Sequence, residues 1–249
     1  MLGNATQPVG QRLASLDILR GFDLFLLVFL QPVLVSLGAC VDSSVMNAVL
    51  YQFDHEVWEG FRFWDLVMPL FLFMTGVSMP FSFSKYERVE SRWFIGVTVM
   101  LGVFAGRMMK EGTFHRQKVA RRLFLVGVAL IVAAWAWSFQ MPVIKRIWTC
   151  SMTLLSGGYC FLLMALFYYW IDCKGHDWGL NWLKIYGMNS ITAYLLGEVV
   201  NFRCVVASVS YGLERYLGDY YSVWLCFSNY LIVFFILRQL YKRNVFLRI

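Results

Sequence analysis

The sequence predicts an all-α fold, a polytopic transmembrane helix bundle of six to seven spans forming one domain over residues 1–249. Composition is the first observation behind that class: 59% of residues are hydrophobic and only 15% charged, where a soluble domain carries about 25% charged residues. The second is distribution, because apolar runs long enough for a bilayer core of about 30 Å, or about 20 helical residues, recur along the chain. The third is where the cations sit. Lys and Arg collect between the apolar runs, so the net charge of +7 reads as topology signals and contacts to anionic membrane lipid, and no nucleic-acid partner is expected. No internal repeat, low-complexity tract or long soluble linker divides the chain.

The opening "MLGNATQPVG" lacks both the basic region and the apolar core of a cleavable signal peptide, so the first span is expected to act as its own insertion signal. That span covers residues 16–38. Asp17 and Arg20 lie near its inner end at i, i+3 spacing, suited to pairing with each other; alternatively Arg20, with Arg12, meets an anionic cofactor at the cytoplasmic face. Gln31-Pro32 interrupts the helix and is expected to open backbone polar groups to a cavity. Residues 39–59 contain Asp42, Asp54, Glu56 and Glu59 but no Lys or Arg, which places this loop outside and the N-terminus inside. Further spans are expected at 61–83, 123–140, 147–171, 184–202 and 221–241. The tail carries Arg238, Lys242, Arg243 and Arg248, and the 107–122 segment carries Arg107, Lys110, Arg116, Lys118, Arg121 and Arg122, so both belong in the cytoplasm.

These counts collide at the short apolar stretch "WFIGVTVMLGVFAG", residues 93–106. Two spans from a cytoplasmic N-terminus return "SKYERVESR" (84–92) to the cytoplasm, yet 107–122 must lie there too. A segment between two internal loops cannot cross once. Either 93–106 is re-entrant or frustrated, or an odd number of spans is missing near 86–93, or the charge bias misleads in one loop.

Six cysteines without a C-x-x-C pair, mostly inside or beside apolar runs, are expected to be buried, reduced, structural thiols. His55, His115 and His176 lack metal-ligand spacing, so no metal site is expected. The chemistry-bearing stretch is "DHEVWEGFRFWDLVMP" (54–69), where a histidine stands beside carboxylates at the lip of an apolar segment. A neutral imidazole serves as general base or acyl acceptor. A neighbouring carboxylate, from among Asp54, Glu56, Glu59 and Asp65, can fix its tautomer. The plain alternative is an interfacial histidine within an aromatic belt of Trp58, Phe61 and Trp64. Asp65 opens a span, where a charge needs a polar cavity, a partner or an N-cap role. In "YGMNSITAYLLGEVVNF" Glu198 is an intramembrane carboxylate and hence a functional candidate, while Asn189 and Ser190 also suit interhelical hydrogen bonding. No Walker A, G-x-G-x-x-G, H-E-x-x-H or G-x-S-x-G pattern occurs.

Taken together, "RLASLDILRGFDLFLLVF", "HEVWEGFRFWDLVMPLFLFMTG", "MPVIKRIWTCSMTLLSGGY", "GMNSITAYLLGEV" and the ending "KRNVFLRI" resemble the heparan-α-glucosaminide N-acetyltransferase family and its bacterial transmembrane acyltransferase relatives. The resemblance implies an integral protein of a bacterial inner membrane with both termini cytoplasmic. It would take acetyl from acetyl-CoA on the cytoplasmic side and deliver it to an amino sugar or other glycan on the opposite face, with a homo-oligomer left open. It puts the catalytic role on His55 with Asp65, and supporting roles on Asn189, Glu198 and Gln31. Gln31 stands where the human family member carries an asparagine, and Gly197 where it carries a histidine. Family members have further spans between the "PFSFSKY" and "GVTVMLG" regions, the place where the charge count demands an odd number of spans. The chain is thus expected to be internally shortened. From other classes, a proton-coupled small-solute transporter relaying through Asp65 and Glu198, or an inactive shortened membrane protein, are the alternatives.

Overall fold

The computed structural model describes residues 13–82, 96–111, 116–176 and 179–246. Among these residues every regular element is helical. Among the described residues five helices, against the six to seven spans expected, are long and apolar enough to cross a membrane, which is the composition of an all-α membrane bundle. In chain order the elements are α1 (Ala14–Cys40), α2 (Ser44–Gln52), α3 (Phe63–Phe81), α4 (Gly96–Glu111), α5 (Arg116–Ser138), α6 (Cys150–Cys173), α7 (Asn181–Met188), α8 (Ser190–Val200), α9 (Arg203–Ser210) and α10 (Tyr221–Lys242).

Local chemistry explains where these elements bend and stop. Pro32 has no N–H to give the carbonyl four residues back, and α1 absorbs the defect by widening into a π turn at Phe25–Leu30. The helix therefore continues through Gln31-Pro32, where the sequence suggested an interruption. Ser43 caps α2 by accepting from the Met46 N–H at 3.1 Å. The expected span over 184–202 is broken: Asn189, with φ −121° and ψ 45°, separates α7 from α8. The last apolar stretch, Arg203–Lys242, is also not one straight rod. Gly218 takes φ 50°, and α9 folds back so that the Ser210 and Tyr221 hydroxyls lie 3.3 Å apart. What remains long enough to cross is α10, whose 22 residues give about 33 Å at about 1.5 Å per residue.

Glycines let three helix pairs approach backbone to backbone, as small residues do in membrane bundles. A Cβ on Gly21 would run into the Leu183 carbonyl and one on Gly187 into that of Asp17, joining α1 to α7. Gly127 and Gly158 join α5 to α6, each 2.9–3.0 Å in this sense from the other's carbonyl oxygen. Gly76 and Gly102 join α3 to α4 against the carbonyls of Val99 and Phe73, with Gly106 against that of Val77.

The order of those α3/α4 contacts settles the direction of the short apolar segment. Phe73 meets Gly102, Val77 meets Gly106, and the Pro80 carbonyl accepts from Lys110 at 2.9 Å, so both residue numbers climb together. The two helices run parallel. By contrast, α5 and α6 run antiparallel, since Gly127 meets Leu162 and Ile131 meets Gly158. The segment expected over 93–106 is helical from Gly96 to Glu111, lengthened into the basic region through Arg107 and Lys110. Ser82 and Glu111 consequently share one end of the bundle, while Gly96 lies at the other; the 84–92 segment, on which one of the two charge counts rests, falls outside the described residues.

One end of the bundle holds α2, the loop after it, and the 139–149 loop. The opposite end gathers the Ser15 N–H on the Asp172 carboxylate (3.3 Å), Arg116 on the Asp172 carbonyl (2.9 Å), and Asn189 on the Val245 carbonyl (3.3 Å). The main core packs Leu19, Leu70, Phe73, Leu123, Phe161 and Met164 between α1, α3, α5 and α6. A second core stacks Tyr186 on Tyr230 at 5.1 Å. All six cysteines are free thiols, but only Cys160 and Cys226 are buried; Cys150 and Cys204 are exposed on helix surfaces, contrary to the buried placement expected.

Candidate functional site

The loop after α2 is built around two carboxylates and one guanidinium. Arg62 donates from Nε to Glu56 Oε2 at 2.7 Å and from Nη2 to Oε1 at 3.1 Å, a two-pronged pairing that folds residues 56–62 into a closed turn. The same guanidinium covers the Tyr51 ring at 3.8 Å and lies 3.7 Å from Asp54. The pair is self-reinforcing. Arg62, aided by the Val57 N–H, holds the Glu56 carboxyl below its ordinary pKa, and Glu56 in turn raises that of Arg62. Gly60, at φ 133°, a conformation open to glycine, sends its N–H to the Val143 carbonyl at 2.9 Å, tying this loop to the 139–149 loop. Gln31 reaches from α1 to the Phe53 carbonyl at 3.3 Å and fixes the loop two residues before His55.

Asp65 sits at the centre with no solvent exposure. Its Oδ2 accepts backbone N–H bonds from Arg62 (3.1 Å) and Glu56 (3.3 Å), capping the first turn of α3. Its Oδ1 faces His55 Nδ1 at 2.9 Å and accepts from Lys145 Nζ at 2.9 Å. Two backbone N–H groups and the Lys145 ammonium donate to the carboxylate, which is the compensation a buried charge requires. Lys145 Nζ also lies 2.7 Å from His55 Nδ1, closing a triangle. The lysine is held on a fixed turn: Thr149 Oγ1 accepts from the Ile144 N–H at 3.1 Å, and Ser151 bonds the Pro142 carbonyl at 3.0 Å. The His55 side chain remains 56% exposed. Among the described residues nothing bonds its Nε2, which is the nitrogen open to an incoming molecule.

His55 and Asp65 are therefore in direct contact, and Gln31 braces the loop that carries His55. The other residues singled out in the sequence lie elsewhere. Asn189 is buried at the opposite end, where it bonds the Val245 carbonyl. Glu198 is exposed on α8, outside the His55–Asp65 network. Arg20, also toward the opposite end, donates to the Met74 carbonyl at 3.4 Å and stands 4.0 Å from Asp17, the i, i+3 pairing. Arg12 and His115 fall outside the described residues.

Sequence reasoning missed Lys145 and Arg62. Lys145 lies 80 positions from Asp65, and a lysine at the edge of an apolar run looks the same whether it marks topology or pairs with a buried acid. One signal was available: a carboxylate opening a span calls for a cation, and "IKR" supplies two in the loop between α5 and α6.

The cluster has the parts of a proton-handling site: an exposed imidazole nitrogen, a second nitrogen governed by an acid and an ammonium, and a rigid frame behind them. Neither a model of a known protein family nor a curated protein sequence matches the chain.

Proposed function

We propose that the protein is an integral membrane acyltransferase that takes acetyl from cytoplasmic acetyl-CoA and passes it to an amino sugar or other glycan on the opposite face, with His55 at the transfer point. The observation that carries this reading is the His55–Asp65–Lys145 triangle, with one imidazole nitrogen left open to the exterior. A likeness to the heparan-α-glucosaminide N-acetyltransferase family, resting on the motifs quoted above, supplies the donor and acceptor classes.

Orientation follows from charge. Arg107, Lys110, Arg116, Lys118, Arg238 and Lys242 belong to the end away from His55, and the positive-inside rule puts that end and both termini in the cytoplasm. An acyl donor would then enter at the basic end. Arg20 is there but already engaged by Met74 and Asp17, so a phosphate on it has to compete with those partners. The transporter alternative needs Asp65 and Glu198 to share a proton path; the closed bonding of Asp65 and the exposed placement of Glu198 give it no support.

The test uses inverted membrane vesicles carrying the chain, labelled acetyl-CoA outside and an amino sugar sealed inside. Label on the enclosed sugar is expected. It should fall by about 10²- to 10⁴-fold in His55→Ala, the usual worth of a general acid or base, and persist in His176→Ala. Full transfer by His55→Ala rejects the proposed role.

A further inference from the structure

We infer that Lys145 sets the tautomer of His55, so that the resting imidazole carries its proton on Nε2 and presents a donor, not a lone pair, to the exterior. His55 Nδ1, Asp65 Oδ1 and Lys145 Nζ lie 2.7–2.9 Å from one another, so each contact is at hydrogen-bond length.

Three distributions of protons compete. If Nδ1 carries the hydrogen and gives it to Asp65, as in a catalytic triad, the shortest contact, 2.7 Å, sets an N–H against an ammonium, two donors face to face. If the proton leaves the lysine for the imidazole, all three contacts can be attractive, yet in water an ammonium outcompetes an imidazolium for a proton by about four orders of magnitude. In the third arrangement the ammonium donates to both Nδ1 and Oδ1. Both charge-assisted bonds are made, the shortest distance falls on one of them, and the one repulsive contact, the Nδ1 lone pair facing Oδ1, falls on the longer 2.9 Å separation. The third arrangement fits the distances.

Neutral imidazole with Nδ1 occupied as an acceptor must carry its hydrogen on Nε2. Asp65 alone would have produced the opposite tautomer. Lys145 is thus a positioning residue that acts through His55, and its geometry turns the expected base into an acid at the start of the cycle.

The consequence for chemistry rests on the acyl-transfer reading above. The acceptor nitrogen bonds to the thioester carbonyl carbon, the C–S bond breaks, and Nε2–H supplies the proton to the departing thiolate. The Lys145 ammonium passes a proton to Nδ1 in compensation. The proton shed by the new amide nitrogen then enters at Nε2 while the Nδ1 proton returns to the lysine, leaving thiol, amide and the site as it began. Acetyl goes directly from donor to acceptor, because Nε2 has no lone pair free to take it.

The experiment is nitrogen-15 magnetic resonance of the detergent-solubilised full chain, histidine-labelled, with His115→Gln and His176→Gln leaving a single signal. The wild-type site should show a protonated Nε2 and an unprotonated, hydrogen-bonded Nδ1. Lys145→Met should move the hydrogen to Nδ1, where Asp65 accepts it, changing the tautomer ratio by about tenfold or more, the worth of a charge-assisted hydrogen bond. A wild-type spectrum with Nδ1–H and a bare Nε2, or a ratio unchanged in Lys145→Met, overturns the inference. Should Lys145→Met not fold, the wild-type spectrum decides by itself. No acyl donor enters the measurement. Absence of transfer with the Nε2 tautomer in place counts against the acyltransferase reading alone.

Discussion

Replacing Lys145 by methionine keeps the length of the side chain and removes its charge. Asp65 has no solvent exposure, so it cannot recruit water in place of the ammonium. It keeps two backbone N–H bonds and the imidazole. Removing one partner from a buried ion pair costs about 3–5 kcal/mol when the remaining charge is stranded. Here two of the three donors stay, and His55 can turn an N–H toward Oδ1 once the lysine is gone, so about 2–3 kcal/mol is expected, close to one hydrogen bond to a charged group. Asp65→Asn should cost a similar amount. The two losses share a cause, and the double variant Lys145→Met/Asp65→Asn should recover at least about 1 kcal/mol relative to their sum. Equilibrium unfolding in mixed micelles, followed by tryptophan fluorescence, measures all three. Additivity within about 0.5 kcal/mol would mean that the two groups do not interact and would refute the reasoning.

Acid should loosen the outer loop. Arg62 holds the Glu56 pKa below its ordinary value, so this pair's contribution is fully present above the ordinary carboxylate range, about pH 4, and is lost as pH falls through the lowered value; unfolding followed against pH should lose that acid-side dependence in Arg62→Gln. Gly102→Ala pushes a methyl into the Phe73 carbonyl and should destabilise the protein by about 1–3 kcal/mol, whereas Gly96→Ala, with nothing near its Cβ position, should change stability little. In a background without native cysteines, probes at Ser82 and Glu111 should label from the same side of the membrane and a probe at Gly96 from the other; labelling of Ser82 and Glu111 from opposite sides would rule out the parallel α3/α4 pair.

The all-α membrane class was legible because burial in lipid demands long apolar runs, and those runs are visible one residue at a time. The same holds for His55 and Asp65, ten positions apart on a loop and the first turn of the helix that follows. Lys145 was not legible. Its partners are chosen by the packing of α5 and α6 beside α3, and nothing local distinguishes it from a topology lysine. Glu198 shows the converse: a carboxylate in an apolar run says that it must be accommodated, but only the rotation of α8 decides that it faces outward. The break at Asn189 was hidden for a related reason, since asparagine costs a helix little and tertiary contact to Val245 decides the matter.

The parallel seam between α3 and α4 also bears on how the molecule is put together. Neighbouring helices that run antiparallel can enter a bilayer as a hairpin, in one concerted event, whereas parallel neighbours cannot. In the two-stage picture, helices insert first and associate afterwards. The α3/α4 contact therefore forms by lateral association, once both helices stand across the bilayer. The contact of Gly76 with Gly102 is then a late assembly joint rather than an insertion signal. Damage to it should leave every helix across the bilayer and loosen α4 alone, against a core that α1, α3, α5 and α6 still share.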